Sequence, residues 1–226
     1  QTMARMTSST ERKGPQLIDG KKIAEAIHRE VEAGAKDLRT KGLEPHLVAI
    51  QAGGDPASRV YVESQKSRFE KLGIRYTHVA LPASIGLEDL EGRIDELNLD
   101  RTVTGIMVTL PLPSHIPAHR IEERIHPSKD VEGVHPMNMG LLVPGRPTVG
   151  PCTALAAVAA IESTGVAIAG KNAVIVGRSN IVGKPVGLLL IQARATVTTC
   201  HTATRDLAEV TRRAEILVVA AGKPGL

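Results

Sequence analysis

Apolar and polar positions along the chain switch repeatedly between a helical and an extended period. From Asp19 to Lys41 the apolar residues Ile23, Ile27, Val31 and Leu38 recur at roughly helical spacing, with Asp19 placed as N-cap and Gly42 as stop. Leu47-Val48-Ala49-Ile50 reads as a strand closed by Gly53-Gly54-Asp55-Pro56. A helix is predicted over 58–72, a strand over 74–81 that stops at Pro82, and a helix over 87–97. A strand over 103–108 is ended by Leu110-Pro111-Leu112-Pro113, a short helix covers 117–125, and a loop punctuated by Pro and Gly runs from 126 to 150. The helix predicted over 153–164 joins two lobes. Alternation then resumes, with strands at 173–176, 195–199 and 215–220 and helices at 181–193 and 206–213. Such alternation implies parallel sheets with right-handed crossovers. The expected fold class is α/β: two α/β lobes with a cleft between them, the second Rossmann-like. Its parallel sheet ends six residues before the last residue, after only three strands. A doubly wound fold normally continues into a second half. The expectation is therefore half of such a lobe, whose apolar edge strand pairs with a partner or with chain lying beyond this sequence.

The segment from Gly170 to Pro185 carries the clearest chemistry. Ala173 to Val176 is a buried-strand run, followed by a Gly turn and a helix-forming apolar run. Strand, turn and helix in that order bring free backbone N–H groups and the positive helix end to one point, which suits a phosphate. The usual G-x-G-x-x-G spacing is absent: from Gly177 its later glycines would fall at Ser179 and Val182, and a Gly occurs only at 183. A strand–helix turn without a ligand remains the bland alternative. NAD-binding folds place an acidic residue about 20 positions on to hold the ribose diol. Here that region reads Ala195-Thr196-Val197-Thr198-Thr199-Cys200-His201, with no carboxylate, while Arg178 lies in the turn, where a guanidinium can grip a 2′-phosphate. The cofactor read from these residues is NADP.

Composition narrows the rest. The 226 residues are 42% hydrophobic, enough for a packed core, and no apolar run approaches the ~20 residues that span a bilayer. The net charge of +4 is spread along the chain, and aromatics make up only 1%, which argues against nucleic acid held on stacking platforms. The two cysteines, Cys152 and Cys200, lack metal-ligand spacing and read as reduced, partly buried thiols of a cytoplasmic protein. His115 and His119 are four apart, but Pro117 between them spoils a helical metal pair. The polar, basic start over 1–14 reads as disordered, or alternatively as a targeting segment.

Several segments together resemble the NADP-dependent methylenetetrahydrofolate dehydrogenase/methenyltetrahydrofolate cyclohydrolase family of one-carbon metabolism. They are Ser58-Arg59-Val60-Tyr61-Val62, the run from Gly105 to Pro113, Pro127-Ser128-Lys129-Asp130-Val131-Glu132-Gly133-Val134, Asn138-Met139-Gly140, Pro151-Cys152-Thr153, the run from Val176 to Pro185, and the run from Ala195 to His201. The resemblance implies a folate-binding catalytic domain over 15–150, an NADP-binding domain over 151–226, tetrahydrofolate derivatives as substrates, and a homodimer. It implies oxidation of the methylene bridge by hydride transfer to NADP, then hydrolysis of the methenyl cation. Residue by residue, it places Tyr61 and Ser58 at the folate, beside Leu110, Pro111 and Glu132. Gly177, Arg178, Ser179, Gly183 and Pro185 fall at the cofactor, with Arg178 and Ser179 on its 2′-phosphate and His201 and Thr202 beside its adenosine.

The departures from the family pattern bear on catalysis. The family's lysine, four residues after the Tyr, is Gln65 here; the neighbouring Lys66 points about 100° around the helix and is a catalytic candidate in its place only if the helix rotates or is locally overwound. Glutamine cannot do general acid–base work worth ~10²–10⁴-fold. The family's Gln is Thr109, and its pterin-fixing Asp is Glu132, one methylene longer. Ala154 and Ala156 stand where the family has Pro and Gly. Hydride transfer depends on cofactor and substrate placement more than on a protein acid, so the expectation is a dehydrogenase with weak or absent cyclohydrolase activity. The rival is a non-catalytic relative that binds folate or NADP, or serves as a partner subunit.

Overall fold

The computed structural model describes residues 14–54, 56–223 and 225–226, without the side chains of residues 56–61. The expected disordered start and the side chains of Ser58 and Tyr61 thus lie outside the described residues. In chain order the elements are α1 (Gly20–Thr40), β1 (His46–Ala52), α2 (Pro56–Lys71), β2 (Arg75–Leu81), α3 (Leu87–Leu99), β3 (Gly105–Val108), α4 (Ala118–Arg124), α5 (Pro136–Leu141), α6 (Cys152–Glu162), β4 (Asn172–Val176), α7 (Gly183–Gln192), β5 (Thr196–Cys200), α8 (Leu207–Arg212) and β6 (Ile216–Val219). Asp19 caps α1 as its position suggests, its carboxylate accepting from the Lys21 and Lys22 amides.

Both sheets are parallel and share one topology, with the first strand in the centre: β2-β1-β3 and β5-β4-β6. In the first, His46–Ala52 pairs with Arg75–Leu81 along its whole length and Leu47–Ile50 with Gly105–Val108. In the second, Asn172–Val176 pairs with Thr196–Cys200, and Ala173–Val176 with Ile216–Val219.

Alternate residues of the central strands feed opposite faces. Val48, Ile50 and Ala52 pack with Ile106 and Val108 against Leu90 and Ile94 of α3 and Ile121 of α4. Leu47 and Ala49 face the other way, with Val62 of α2, Tyr76 and Met107. The same division recurs in the second sheet, where Ala173 and Ile175 meet Val186 and Leu190 of α7, while Val174 and Val176 meet Cys200 and the α8 side. Covering both faces is why these strands are apolar runs without polar alternation.

Besides shifts of one or two residues at other element ends, the structure differs from the sequence reading in the loop before α6 and at the start of β3. The loop expected over 126–150 contains α5, begun by Pro136 and capped by the His135 ring, whose Nδ1 accepts from the Met137 amide at 3.0 Å. The third strand starts at Gly105, not 103, because Asp100 turns the chain there: its carboxylate accepts from both the amide and the hydroxyl of Thr102 at 2.8 Å. Strand β6 lies at a sheet edge with Leu217 and Val219 exposed. Among the described residues no helix is long and apolar enough to cross a membrane.

Candidate active site

Strand β4 runs into the turn that sequence reasoning singled out. Gly177 sits at φ +125°, and a Cβ there would lie 2.4 Å from the Ala220 carbonyl oxygen; one on Gly183 would lie 2.2 Å from the Gly177 oxygen. Only hydrogen fits at either place, so the turn closes tightly against both the β6 end and the start of α7. The Ser179 hydroxyl accepts from the Val182 and Gly183 amides at 3.2 and 3.3 Å, tying down the first turn of α7. Val182, rather than Ser179, is the N-cap by backbone position.

A pocket of about 530 Å³ opens over this turn. Its lining brings together Gly177, Arg178, Ser179, His201 and Thr202, with Lys223 as a second cation. The turn after β4 and the residues after β6 border it, which is the switch point of a sheet ordered 2-1-3 and the place where such sheets bind ligands. Gly183 and Pro185 are buried in α7 and do not line this pocket, so any effect they have on a cofactor runs through the shape of the turn.

A second pocket, about 90 Å³, lies where the two lobes meet. Val108, Leu110 and Glu132 line it from the first lobe, Glu122 from α4, and Cys152 and Ile181 from the second lobe. Most of the lining is apolar, and two carboxylates project into it without a cationic neighbour in that lining. Burial, and then the Asp130 charge, push the Glu132 carboxyl above the usual range, against the opposing hydrogen bond from Val108. Glu122 is likewise raised, first by burial and then by Asp130 and Glu123, with His119 opposing. Cys152 is exposed as a residue, but its thiol lies on the pocket and donates to the Val131 carbonyl at 3.4 Å. Desolvation, Glu132 and Asp130 all raise it, so it stays a thiol at neutral pH. Of the two thiols expected to be partly buried, Cys152 departs in being exposed as a residue, while Cys200 is buried at the end of β5 as a strand-end core residue.

Leu110 also borders a hollow of about 270 Å³, where it is joined by Thr109, Pro111, Gln51, Gly53 and Gly54. Thr109 is held against β1, its amide and hydroxyl both donating to the Ile50 carbonyl at 2.9 and 3.3 Å. Gln65 and Lys66 line none of these pockets. The Gln65 amide oxygen accepts from the Tyr76 hydroxyl at 3.2 Å, and Lys66 is exposed.

Sequence reasoning passed over Asp130, which is 1% exposed. Its carboxylate accepts from the Glu132 amide at 3.2 Å, the His135 amide at 2.9 Å and the Asn138 side-chain amide at 2.8 Å. An Asp can accept from the amide two residues on, as in an Asx turn, but nothing in the sequence marks this one as buried. Among the described residues no group of three or more His, Cys, Asp or Glu side chains is placed to hold a metal ion, and the His115 ring is engaged by the Ile85 carbonyl at 2.9 Å.

Comparison with known proteins agrees with this arrangement. Residues 18–132 match the family described as tetrahydrofolate dehydrogenase/cyclohydrolase, catalytic domain, and residues 151–226 match its NAD(P)-binding domain. Bifunctional protein FolD 2 of Geobacter sulfurreducens is 47% identical over 208 residues, covering 92% of this chain and 73% of that protein. Bifunctional protein FolD of Bordetella bronchiseptica is 47% identical over 210 residues, covering 93% and 74%. Among solved structures, the bifunctional methylenetetrahydrofolate dehydrogenase/cyclohydrolase of Campylobacter jejuni superposes with a TM-score of 0.88 at 41% identity, over 92% of this chain and 74% of that one. The Trypanosoma brucei enzyme, complexed with NADP cofactor and inhibitor, superposes with a TM-score of 0.86 at 38% identity, over 93% and 73%. With both family domains matched over most of its length, the chain belongs to the tetrahydrofolate dehydrogenase/cyclohydrolase family.

Proposed function

We propose that this chain catalyses the NADP-dependent oxidation of 5,10-methylenetetrahydrofolate to 5,10-methenyltetrahydrofolate, with weak hydrolysis onward to 10-formyltetrahydrofolate. The observation that carries the reading is the continuity of the two sites. Residues 177–179 border the larger pocket, and Ile181, in the same segment, lines the smaller one that holds Glu132. A substrate beside Glu132 and a cofactor on the turn would therefore meet at the junction of the lobes, which this reading places near residue 150.

NADP fits the second lobe, because the glycine cradle at Gly177 and Gly183 admits a phosphate-bearing chain and Arg178 faces the pocket as a bidentate donor for a 2′-phosphate. When bound, it supplies the hydride acceptor. Arg178 and Ser179 would hold its phosphate, and His201 and Thr202 would flank the adenosine. Glu132 would accept hydrogen bonds from the donor edge of the pterin, with Ser58, Tyr61, Leu110 and Pro111 around it. The apolar walls contributed by Val108, Leu110 and Ile181 keep water from the reacting carbon. Gln65 stands where the resemblance places the family's lysine and cannot move a proton at neutral pH, which is the ground for a weak hydrolytic step; Thr109, shorter than the family's Gln, turns its hydroxyl to the Ile50 carbonyl. Tyr61 remains the candidate group on α2.

The reading is tested by adding 5,10-methylenetetrahydrofolate and NADP to the protein and following NADPH. Formation of NADPH with accumulation of the methenyl compound is expected, and the absence of NADPH would overturn it. The second reading, a binding relative without turnover, draws on the engagement of Gln65 by Tyr76 and of Thr109 by Ile50. It predicts that NADP and folate bind calorimetrically and that nothing turns over. We further propose a homodimer in the cytoplasm, as the family resemblance implies.

A further inference from the structure

We propose that Asp130 is a positioning residue for the substrate site: its buried carboxylate folds the 130–138 loop into the one shape that presents Glu132 to the pocket. The inference rests on the reading of that pocket as the folate site. Three observations bear on it. Asp130 is 1% exposed, yet among the described residues no cation is paired with it; its charge is met by donors alone. One carboxylate oxygen accepts from the Glu132 amide, the residue it would position, and the other accepts from the His135 amide and from Asn138. Asn138 in turn donates to the Pro127 carbonyl, so a single side chain and its partner tie both ends of the segment.

The loop has two further anchors that make its shape unique. Asp130 bridges Ile106 of β3 in the manner of a fourth parallel strand, with the Ile106 amide donating to the Lys129 carbonyl at 2.7 Å. Gly133 lies at φ +67°, and a Cβ there would be 2.4 Å from the Gly150 carbonyl carbon, so the loop presses on the segment entering α6. Removing Asp130 leaves two backbone amides and an amide side chain without their acceptor in a buried place, and the loop that carries Glu132 must then rearrange to satisfy them. A carboxylate misplaced by about 1 Å can cost on the order of 10²-fold in the reaction it serves.

Asp130 also acts on Glu132 through space. Glu132 faces Glu122 from α4, the Cys152 thiol from α6 and the Val108 amide from β3, with the Asp130 charge behind it. Among these the Asp130 charge ranks next after burial in holding the proton on Glu132. Asn138→Ala removes no charge, so a shift in the Glu132 titration there reports a change in its placement, whereas in Asp130→Asn the shift also reports the lost charge.

The test compares the full chain with Asp130→Asn and Asn138→Ala. For each, the KM for 5,10-methylenetetrahydrofolate, the KM for NADP and the carboxyl titration of Glu132 by carbon NMR, assigned with Glu132→Gln, are measured. Asp130→Asn is expected to raise the folate KM on the order of tenfold, leave the NADP KM within about twofold, and move the Glu132 titration to lower pH. Asn138→Ala, which withdraws one donor of three, is expected to move the folate KM in the same direction by less. If Asp130→Asn fails to fold, Asn138→Ala decides the outcome. A wild-type folate KM together with an unmoved Glu132 titration in the folded variants overturns the proposal. If the wild type binds folate without turnover, the dehydrogenase reading fails by itself, while the Glu132 titration and the folate dissociation constant still decide the role of Asp130.

Discussion

The hydroxyl of Tyr76 donates to the side-chain oxygen of Gln65 at 3.2 Å, so the residue that replaces the family's lysine is built into the packing of α2 on β2. Tyr76 also stacks on Phe69 of the same helix, with centroids 5.6 Å apart and planes 13° from parallel. Gln65→Lys restores an ionisable amine that the Tyr76 oxygen can still accept from. Methenyl hydrolysis is expected to rise by roughly tenfold or more, within the range general acid–base groups supply, with dehydrogenase activity little changed. An acid-quench assay of the methenyl compound reads this directly, and no gain in hydrolysis would contradict the role assigned to position 65.

Gly177→Ala places a methyl group against the Ala220 carbonyl oxygen, 2.4 Å from the ideal Cβ, at a φ of +125° that alanine avoids. The backbone has to shift on both sides of the cofactor pocket. Chemical denaturation should show a loss of roughly 1–3 kcal/mol, and calorimetry should show NADP binding weakened by more than tenfold. A variant with normal NADP affinity would remove the turn from the cofactor site.

Ser179→Ala deletes the acceptor of the Val182 and Gly183 amides. Because two amides at the start of α7 lose their partner, stability should fall by about 1 kcal/mol. The urea midpoint of the variant checks this. Bound NADP should recover part of the loss if its phosphate replaces the hydroxyl as acceptor.

How far the sequence alone reached is clearest from particular elements. Both central strands, β1 and β4, were legible as apolar runs because each is covered on two faces, and the Asp19 cap and the Gly177 turn announce themselves by residue type. The short helix α5 was hidden inside a stretch rich in Pro and Gly, where its cap is a histidine ring rather than one of the usual cap residues. Asp130 was hidden for a different reason. A buried carboxylate satisfied by donors from its own loop has no period and no charge partner in sequence, so only the folded loop reveals it. A cleft between the lobes was expected with Glu132 in it, but the part Cys152 and Ile181 take in its lining shows only once the two lobes meet.

The pH dependence follows from Glu132, whose carboxyl is raised by burial and by Asp130. The folded state therefore binds this proton more tightly than the unfolded chain, whose Glu titrates near pH ~4.3. Stability from this group is fully present below that pH and is lost as pH rises through the higher folded value. Glu132→Gln, which cannot ionise, should be more stable than the wild type at pH ~8 and lose that advantage toward pH ~4. Urea midpoints of both proteins across this range would show the curves converging at the acid end. Parallel curves would mean Glu132 does not titrate in that pocket.

The proposed reading gives Arg178 the choice of cofactor, and the ratio of kcat/KM for NADP to that for NAD, with 5,10-methylenetetrahydrofolate as substrate, measures it most directly in the wild type and in Arg178→Gln. The account predicts NADPH formation by the wild type with a strong preference for NADP, and a fall in that ratio of roughly tenfold or more in the variant, as expected for the loss of a bidentate phosphate contact. A wild type that reduces neither cofactor, or a ratio unchanged by the substitution, would contradict it.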